Sequence, residues 1–85
     1  MKQYNYNGWT NQETWNVMLW LNGSENLYIS MINTIEQSEK DLTYVKLIHL
    51  LSLENKKTGD GTNFLSNKLN YDELNQAIID ISNAL

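Results

Sequence analysis

The 85-residue chain contains no cysteine, no proline and no arginine. Without cysteine it can form no disulfide, no thiolate metal site and no cysteine nucleophile. Without proline it has no residue that is obliged to break a helix. All six basic residues are lysine, so the chain lacks the arginine contacts by which proteins most often read guanine. These absences favour a helical protein and weigh against sequence-specific DNA recognition.

Long apolar runs are absent as well. No stretch approaches the ~20 apolar residues that a membrane-spanning helix needs. The polar residues 1–9 also lack the apolar segment of a secretory signal. With 41% hydrophobic residues, a chain of this length predicts a single domain over residues 1–85 with its own core. We therefore expect an intracellular protein that does not contact a membrane.

The N-terminal third combines an aromatic arm with a helix. Residues 1–9 alternate aromatic and polar side chains and predict an irregular arm that ends in a turn. Thr10 followed by Glu13 matches the capping box, in which the two side chains satisfy backbone N–H groups at a helix start. A first helix is therefore predicted over residues 11–21, and Asn22-Gly23 is a common helix-end pair.

Three further helices are predicted from capping residues followed by apolar residues at helical spacing: residues 25–37 after Ser24, about 42–53 after Ser38 or Asp41, and 71–84 after Asn70. Residues 54–63 form the one clear loop, with Gly59 and Gly61 on either side of Asp60. The expected fold is a compact all-α bundle of about four short helices. A small β-hairpin near residues 58–69 is the main alternative within this fold.

Catalytic and metal-binding patterns are weak. His49 is the only histidine, and sequence spacing supplies it with neither an orienting partner nor a pocket. We interpret it as a partly exposed helix residue. The loop around Asp60 lacks the spaced carboxylates and terminal glutamate of a calcium loop. Asp72 and Glu73 are explained as favourable charges at a helix N-terminus. No enzymatic activity, cofactor or metal is predicted.

The charge balance bears on partners. Ten acidic residues against six lysines give a formal net charge of −4. Nucleic-acid binding depends on clustered positive charge, so direct contact with DNA or RNA is not expected. Four excess negative charges are also too few to imitate duplex DNA by charge alone. An acidic surface can still steer association with a basic protein.

The aromatic residues are the most informative feature. Trp9, Trp15 and Trp20 fall within twelve residues, and tryptophan and tyrosine are common anchors of protein interfaces. Five positions on a helix correspond to about 140°, so Trp15 and Trp20 do not share one face. Core packing is favoured for Trp15 and is left open for Trp9 and Trp20. Tyr4 and Tyr6, in the arm, are predicted as exposed contact residues.

Two segments carry a family resemblance. Residues 8–21, GWTNQETWNVMLWL, resemble the GW-x-N-x-ETW-x-V-x-LW opening of a family of small, mostly uncharacterised proteins of bacteriophages, plasmids and their bacterial hosts. The Gly59-Asp60-Gly61 turn and residues 69–74, LNYDEL, match a later D-G turn and helix start of the same family. The chain departs from that pattern at Gln12, Phe64 and Asn70.

The resemblance implies an accessory protein of a phage or mobile element, acting in the cytoplasm of a bacterial host. Such proteins often antagonise host defence, so we expect an anti-CRISPR or similar inhibitor that binds a nuclease, with a Cas9-type target favoured. The predicted contact residues are Tyr4, Tyr6, Trp9, Asn11 and Glu13, with Asp60 in a second patch. The alternative is a homo-oligomeric structural or regulatory phage module with no defence target, of which a homodimer is one form, because the first helix is apolar on several faces.

Overall fold

The computed structural model describes residues 8–38 and 42–85. Within these residues the chain forms four helices and no sheet: α1 (Gln12–Gly23), α2 (Glu25–Gln37), α3 (Tyr44–Leu50) and α4 (Tyr71–Ala84). The prediction of a small all-α bundle of about four helices is confirmed. None of the helices in the described residues is long and apolar enough to cross a membrane.

The start of α1 differs from the prediction. Asn11, and not Thr10, is the N-cap, and its Oδ1 accepts the backbone N–H of Thr14 at 2.9 Å. The predicted capping box of Thr10 and Glu13 is therefore wrong. The backbone N–H of Thr10, which Glu13 was expected to bind, instead donates to the Glu73 carboxylate. A contact across the fold has replaced the local one.

The bounds of α2 and α4 agree with the predicted ranges. Asn70 caps α4 as expected, since its Oδ1 accepts the backbone N–H of Glu73 at 3.1 Å. Ser24 occupies the N-cap position of α2, although its side chain makes no capping hydrogen bond. It is also the only residue between α1 and α2, so the chain reverses direction within a single linking residue.

The third helix is shorter than predicted. It begins after Thr43, whose Oγ1 accepts the backbone N–H of Lys46 at 3.2 Å. Asp41, one of the predicted caps, lies outside the described residues. The helix ends at Leu50 because Ser52 adopts a left-handed conformation with φ of 59°. This geometry lets the N–H of Leu53 donate to the carbonyl of Ile48 at 2.9 Å, as in a Schellman motif.

The core is shared by all four helices and by the segment between α3 and α4. α2 packs against each of the other three helices, and α3 also packs against α4. The buried hydrophobic side chains are Val17, Met18, Leu21, Met31, Ile35, Tyr44, Leu47, Ile48, Phe64, Leu69, Leu74 and Ile78. Phe64 and Leu69 come from residues 51–70, which are not helical, so this segment completes the core as the helices do.

The loop at residues 57–63 is closed by one antiparallel β-bridge, between Lys57 and Asn63. Inside it, the N–H of Thr58 donates to the carbonyl of Thr62 at 2.8 Å. The hairpin considered for residues 58–69 is thus reduced to one bridge that starts one residue earlier. Residues 64–69 form turns instead of a return strand.

Candidate protein-binding site

The two segments that carry the family resemblance lie against each other. We call their contact the α1–α4 junction, formed by Thr10, Asn11, Thr14, Lys68, Asn70 and Glu73. One hydrogen bond joins the side chains of Thr10 and Asn70, in which Nδ2 of Asn70 donates to Oγ1 of Thr10 at 2.9 Å. The backbone N–H of Thr10 donates to Oε1 of Glu73 at 3.0 Å. The starts of α1 and α4 are therefore held side by side.

Thr14 lies at the buried centre of this junction and is 0% exposed. Its Oγ1 donates to Oδ1 of Asn11 at 2.6 Å and accepts the backbone N–H of Asn70 at 2.9 Å. Nδ2 of Asn11 in turn donates to the carbonyl of Lys68 at 2.7 Å. Because buried polar groups are costly when unpaired, this chain of hydrogen bonds fixes the relative position of the two segments.

A second connection joins the middle of α1 to the loop at residues 57–63. The buried Asn16 accepts a hydrogen bond from Oγ1 of Thr58 at 2.5 Å and donates from Nδ2 to Oδ2 of Asp60 at 2.8 Å. Nε1 of Trp20 donates to the same oxygen of Asp60 at 3.1 Å. These two donors hold the pKa of the Asp60 carboxyl below its usual range, with the Asn16 contact the larger cause.

Gly59 lies directly on the indole ring of Trp20. A Cβ at this position would come within 2.4 Å of two ring carbons, so only glycine permits this approach without movement. The loop and the ring therefore fit together at van der Waals distance. Together with the two hydrogen bonds to Asp60, this contact holds the loop against α1.

An acidic groove runs between the residues ahead of α1 and one side of α4, with a cavity volume of about 600 Å³. It is lined by Gly8, Trp9, Asn70, Asp72, Glu73, Gln76, Ala77 and Asp80. Three carboxylates and no lysine are among these residues. The half-buried Trp9 packs against the core and forms the aromatic wall. The acidic groove thus combines a fixed aromatic ring with concentrated negative charge.

The α1–α4 junction shapes this groove. Asn70 and Glu73 belong to the junction and also line the groove. Their hydrogen bonds to Thr10 therefore fix the start of α4 relative to the residues ahead of α1, which form the opposite wall of the groove. Along α4, Nε2 of Gln76 donates to Oδ1 of Asp80 at 3.0 Å. Asp72 and Asp80 are exposed, and their carboxylates remain accessible to a partner. Preorganised charge of this kind lowers the ordering cost of binding.

The predicted contact residues fall in different places. Tyr4 and Tyr6 lie outside the described residues. Trp9 lines the acidic groove, whereas Asn11 uses its side chain for the α1–α4 junction. Glu13 lines a separate polar surface with Lys57 and Lys68, and Asp60 is exposed on its loop. The four predicted contact residues that the structure describes therefore do not form one surface.

The acidic side of α4 was not predicted from the sequence. Asp72 and Glu73 were interpreted only as charges near a helix N-terminus, and Gln76 and Asp80 were not considered. The available signal was the spacing of Asp72, Gln76 and Asp80, which are four residues apart and so share one face of a helix. What could not be inferred from spacing is that Trp9 lies beside this face.

The other chemically notable pair is His49 with Glu54. Nδ1 of His49 lies 3.0 Å from Oε2 of Glu54, and the His49 side chain is 54% exposed, as the sequence suggested. The hydrogen bond from His49 lowers the pKa of Glu54. No group of three or more metal-ligating side chains occurs in residues 8–38 and 42–85. An exposed pair of this kind is an ordinary surface contact that contributes little to stability.

Fold and site together define a small all-α protein with an acidic groove beside a tryptophan. A family model described as a family of unknown function, DUF7249, matches residues 2–84, and the chain belongs to that family. A search of curated proteins and a search of solved structures each found no significant match.

Proposed function

We propose that this protein inhibits a host defence nuclease by stoichiometric binding, as an accessory protein of a phage or mobile element. The acidic groove beside Trp9 is the observation that carries the proposal. Nucleases hold the phosphate backbone on surfaces rich in lysine and arginine. A groove with Asp72, Glu73 and Asp80 and no lysine is complementary to such a surface, and a Cas9-type nuclease is the favoured target.

Trp9 supplies the apolar part of the proposed contact. A tryptophan at the wall of a groove gives a large contact area and can lie against a cationic side chain. Its packing against the core keeps the ring in place before the partner arrives. The resemblance of residues 8–21 and 59–74 to proteins of phages and plasmids supports the same interpretation and supplies the biological setting.

Two double variants test the proposal. Asp72→Asn with Asp80→Asn removes two negative charges from the acidic groove. Glu25→Gln with Glu36→Gln removes the same number from exposed positions of α2, and Glu25, like Asp72, lies in the first turn of its helix. The second variant is thus a matched control for net charge and for the loss of a helix N-terminal carboxylate.

The measurement is co-purification of the tagged protein from a bacterial host that carries CRISPR and restriction nucleases, followed by a DNA cleavage assay with the nuclease that is recovered. We expect near-stoichiometric recovery and inhibition with the wild type and the α2 control, and at least a tenfold weaker inhibition with the groove variant. Recovery of no nuclease by the wild type would overturn the proposal. Equal loss in both variants would show that net charge, and not the groove, is responsible.

A second candidate function is the homo-oligomeric structural or regulatory module. It draws support from exposed apolar side chains on α2 and at the end of α3, of which Ile29 is 52% and Leu50 62% exposed. The sequence favoured an oligomer because α1 is apolar on several faces. Packing within one chain largely accounts for those apolar residues, since Val17, Met18 and Leu21 are all buried. Light scattering of the purified protein distinguishes a monomer from a stable oligomer.

A further inference from the structure

A second, smaller pocket lies at the C-terminal end of α1. We call it the Trp20 pocket; it has a volume of about 240 Å³ and is lined by Leu19, Trp20, Gly23, Ser24 and Asp60. Its walls are mainly apolar, and Leu19 is 44% exposed although it is a large hydrophobic residue. Asp60 contributes the only charged group among the lining residues.

The Asp60 carboxylate is both fixed and incompletely used. Its Oδ2 accepts the hydrogen bonds from Asn16 and Trp20, at 2.8 and 3.1 Å. Its other oxygen, Oδ1, accepts no hydrogen bond from residues 8–38 or 42–85. These two hydrogen bonds position the carboxylate, and the packing of Gly59 on the Trp20 ring positions the backbone beside it. Asp60 lines this apolar pocket, and one oxygen of its carboxylate therefore has no donor among the described residues.

This combination selects a particular kind of side chain. A long apolar stem can lie along the walls of a pocket while a charged end reaches its edge. Arginine fits best, because its guanidinium is more weakly hydrated than an ammonium, packs against aromatic rings and is enriched in interface anchors. Among the residues that the structure describes, no lysine lines the pocket.

We infer that the Trp20 pocket receives an arginine side chain of the partner protein, whose guanidinium donates to Oδ1 of Asp60. The inference rests on the proposed function, because the arginine would belong to the basic surface of the bound nuclease. It adds a contact that is separate from the acidic groove, since the two sites share no lining residue. The chemistry of the pocket can nevertheless be tested without the nuclease.

The test uses two short blocked peptides, Ala-Arg-Ala and Ala-citrulline-Ala, which differ only in that citrulline is a neutral analogue of arginine. Each is titrated into the nitrogen-15-labelled full chain, and the indole N–H of Trp20 and the backbone N–H of Asp60 are followed by nuclear magnetic resonance. We expect saturable shifts with the arginine peptide, with a dissociation constant on the order of millimolar for so small a contact. The citrulline peptide should produce at least tenfold weaker binding.

Asp60→Asn is the decisive variant, because the amide oxygen can still accept the hydrogen bonds from Asn16 and Trp20 while the charge is lost. It should abolish the shifts caused by the arginine peptide, and Glu36→Gln, which removes one charge from α2, should leave them unchanged. Equal shifts with both peptides, or no shift at the Trp20 indole, would overturn the inference. Should Asp60→Asn not fold, the comparison of the two peptides on the wild type decides.

The peptide titration and the co-purification can fail separately. Failure to recover a nuclease with the wild-type protein overturns the proposed function and leaves the arginine contact to be judged by the peptide titration. Recovery of a nuclease together with no peptide response overturns only the inference about the Trp20 pocket.

Discussion

The carboxylate of Glu73 accepts the backbone N–H of Thr10 at 3.0 Å, although 63 positions separate the two residues. Glu73 lies in the first turn of α4, and Thr10 lies just ahead of α1. One side chain therefore takes over the task that the local capping-box pattern assigned to Glu13. It also ties the residues on one side of the acidic groove to the helix on the other.

Alanine variants of Glu13 and Glu73 distinguish the predicted capping-box contact of Glu13 from the observed contact between Glu73 and Thr10. Glu73→Ala should lower the free energy of unfolding by about 1–2 kcal/mol, because the N–H of Thr10 loses a charged acceptor. Glu13→Ala should change it by less than about 0.5 kcal/mol. Urea unfolding followed by circular dichroism measures both. A larger loss for Glu13 would show that the local capping box, and not the α1–α4 contact, satisfies Thr10.

Gly59→Ala tests the packing of the loop on Trp20. The added methyl group would come within 2.4 Å of two ring carbons, so the ring or the loop must move. Either movement should weaken the hydrogen bond from Nε1 of Trp20 to Asp60. We expect a loss of about 1–3 kcal/mol in the free energy of unfolding. Gly23→Ala is the control, since a methyl group there meets no atom within 4 Å. Thermal unfolding should show a lower midpoint only for the first variant.

Ser52 offers a stabilising substitution. It has a φ of 59° at the end of α3, a conformation that costs a side-chain-bearing residue about 1–2 kcal/mol and that glycine adopts readily. Ser52→Gly should therefore raise the free energy of unfolding by about 0.5–1 kcal/mol after the entropy cost of glycine is subtracted. Ser52→Ala should bring no such gain. Chemical denaturation of the three proteins at one pH checks the order, and equal stability of the glycine and alanine variants would contradict it.

The hydrogen bonds to Asp60 imply a specific dependence on pH. Its pKa is lower in the folded protein than in the unfolded chain, so the carboxylate stabilises the fold above the unfolded pKa of about 4. That stabilisation is lost as pH falls through the folded pKa. The difference in free energy of unfolding between the wild type and Asp60→Asn should be constant near neutral pH and should shrink below about pH 4. A difference that stays constant down to pH 2 would show that Asp60 is not held in this way.

Much of the helical structure was predictable because it depends on neighbouring residues. Asn70 caps α4 through the N–H of Glu73, three positions later, and both bounds of that helix agree with the pattern of apolar residues. The end of α3 was misjudged because its apolar pattern continues to Leu53, whereas Ser52 adopts a left-handed conformation that is unusual for serine. The cap of α1 was misjudged because Thr10 forms hydrogen bonds with Asn70 and Glu73, which are distant in sequence.

The candidate sites were less accessible to prediction. Trp9 and Asp60 were both predicted as contact residues, and the sequence grouped Trp9 with Asn11 and Glu13. In the structure, the side chain of Asn11 binds Lys68 and Thr14, and Glu13 lines another surface. Trp9 instead lines the acidic groove with residues of α4, and Asp60 borders a pocket with Trp20. Each of these neighbours is at least 40 positions away along the chain. The spacing of apolar residues along one helix does not indicate which distant segment packs against that helix.

The sequence by itself determined the helical class, the positions of α2 and α4 and the acidic balance, because caps and apolar spacing act over three or four residues and charge is a sum over the chain. Only the tertiary structure decided that Glu73 binds Thr10, that Asn16 and Trp20 hold Asp60, and that α4 forms a groove with Trp9. Those contacts arise when buried polar groups from distant segments must satisfy one another, and the choice of partner depends on how the whole core packs.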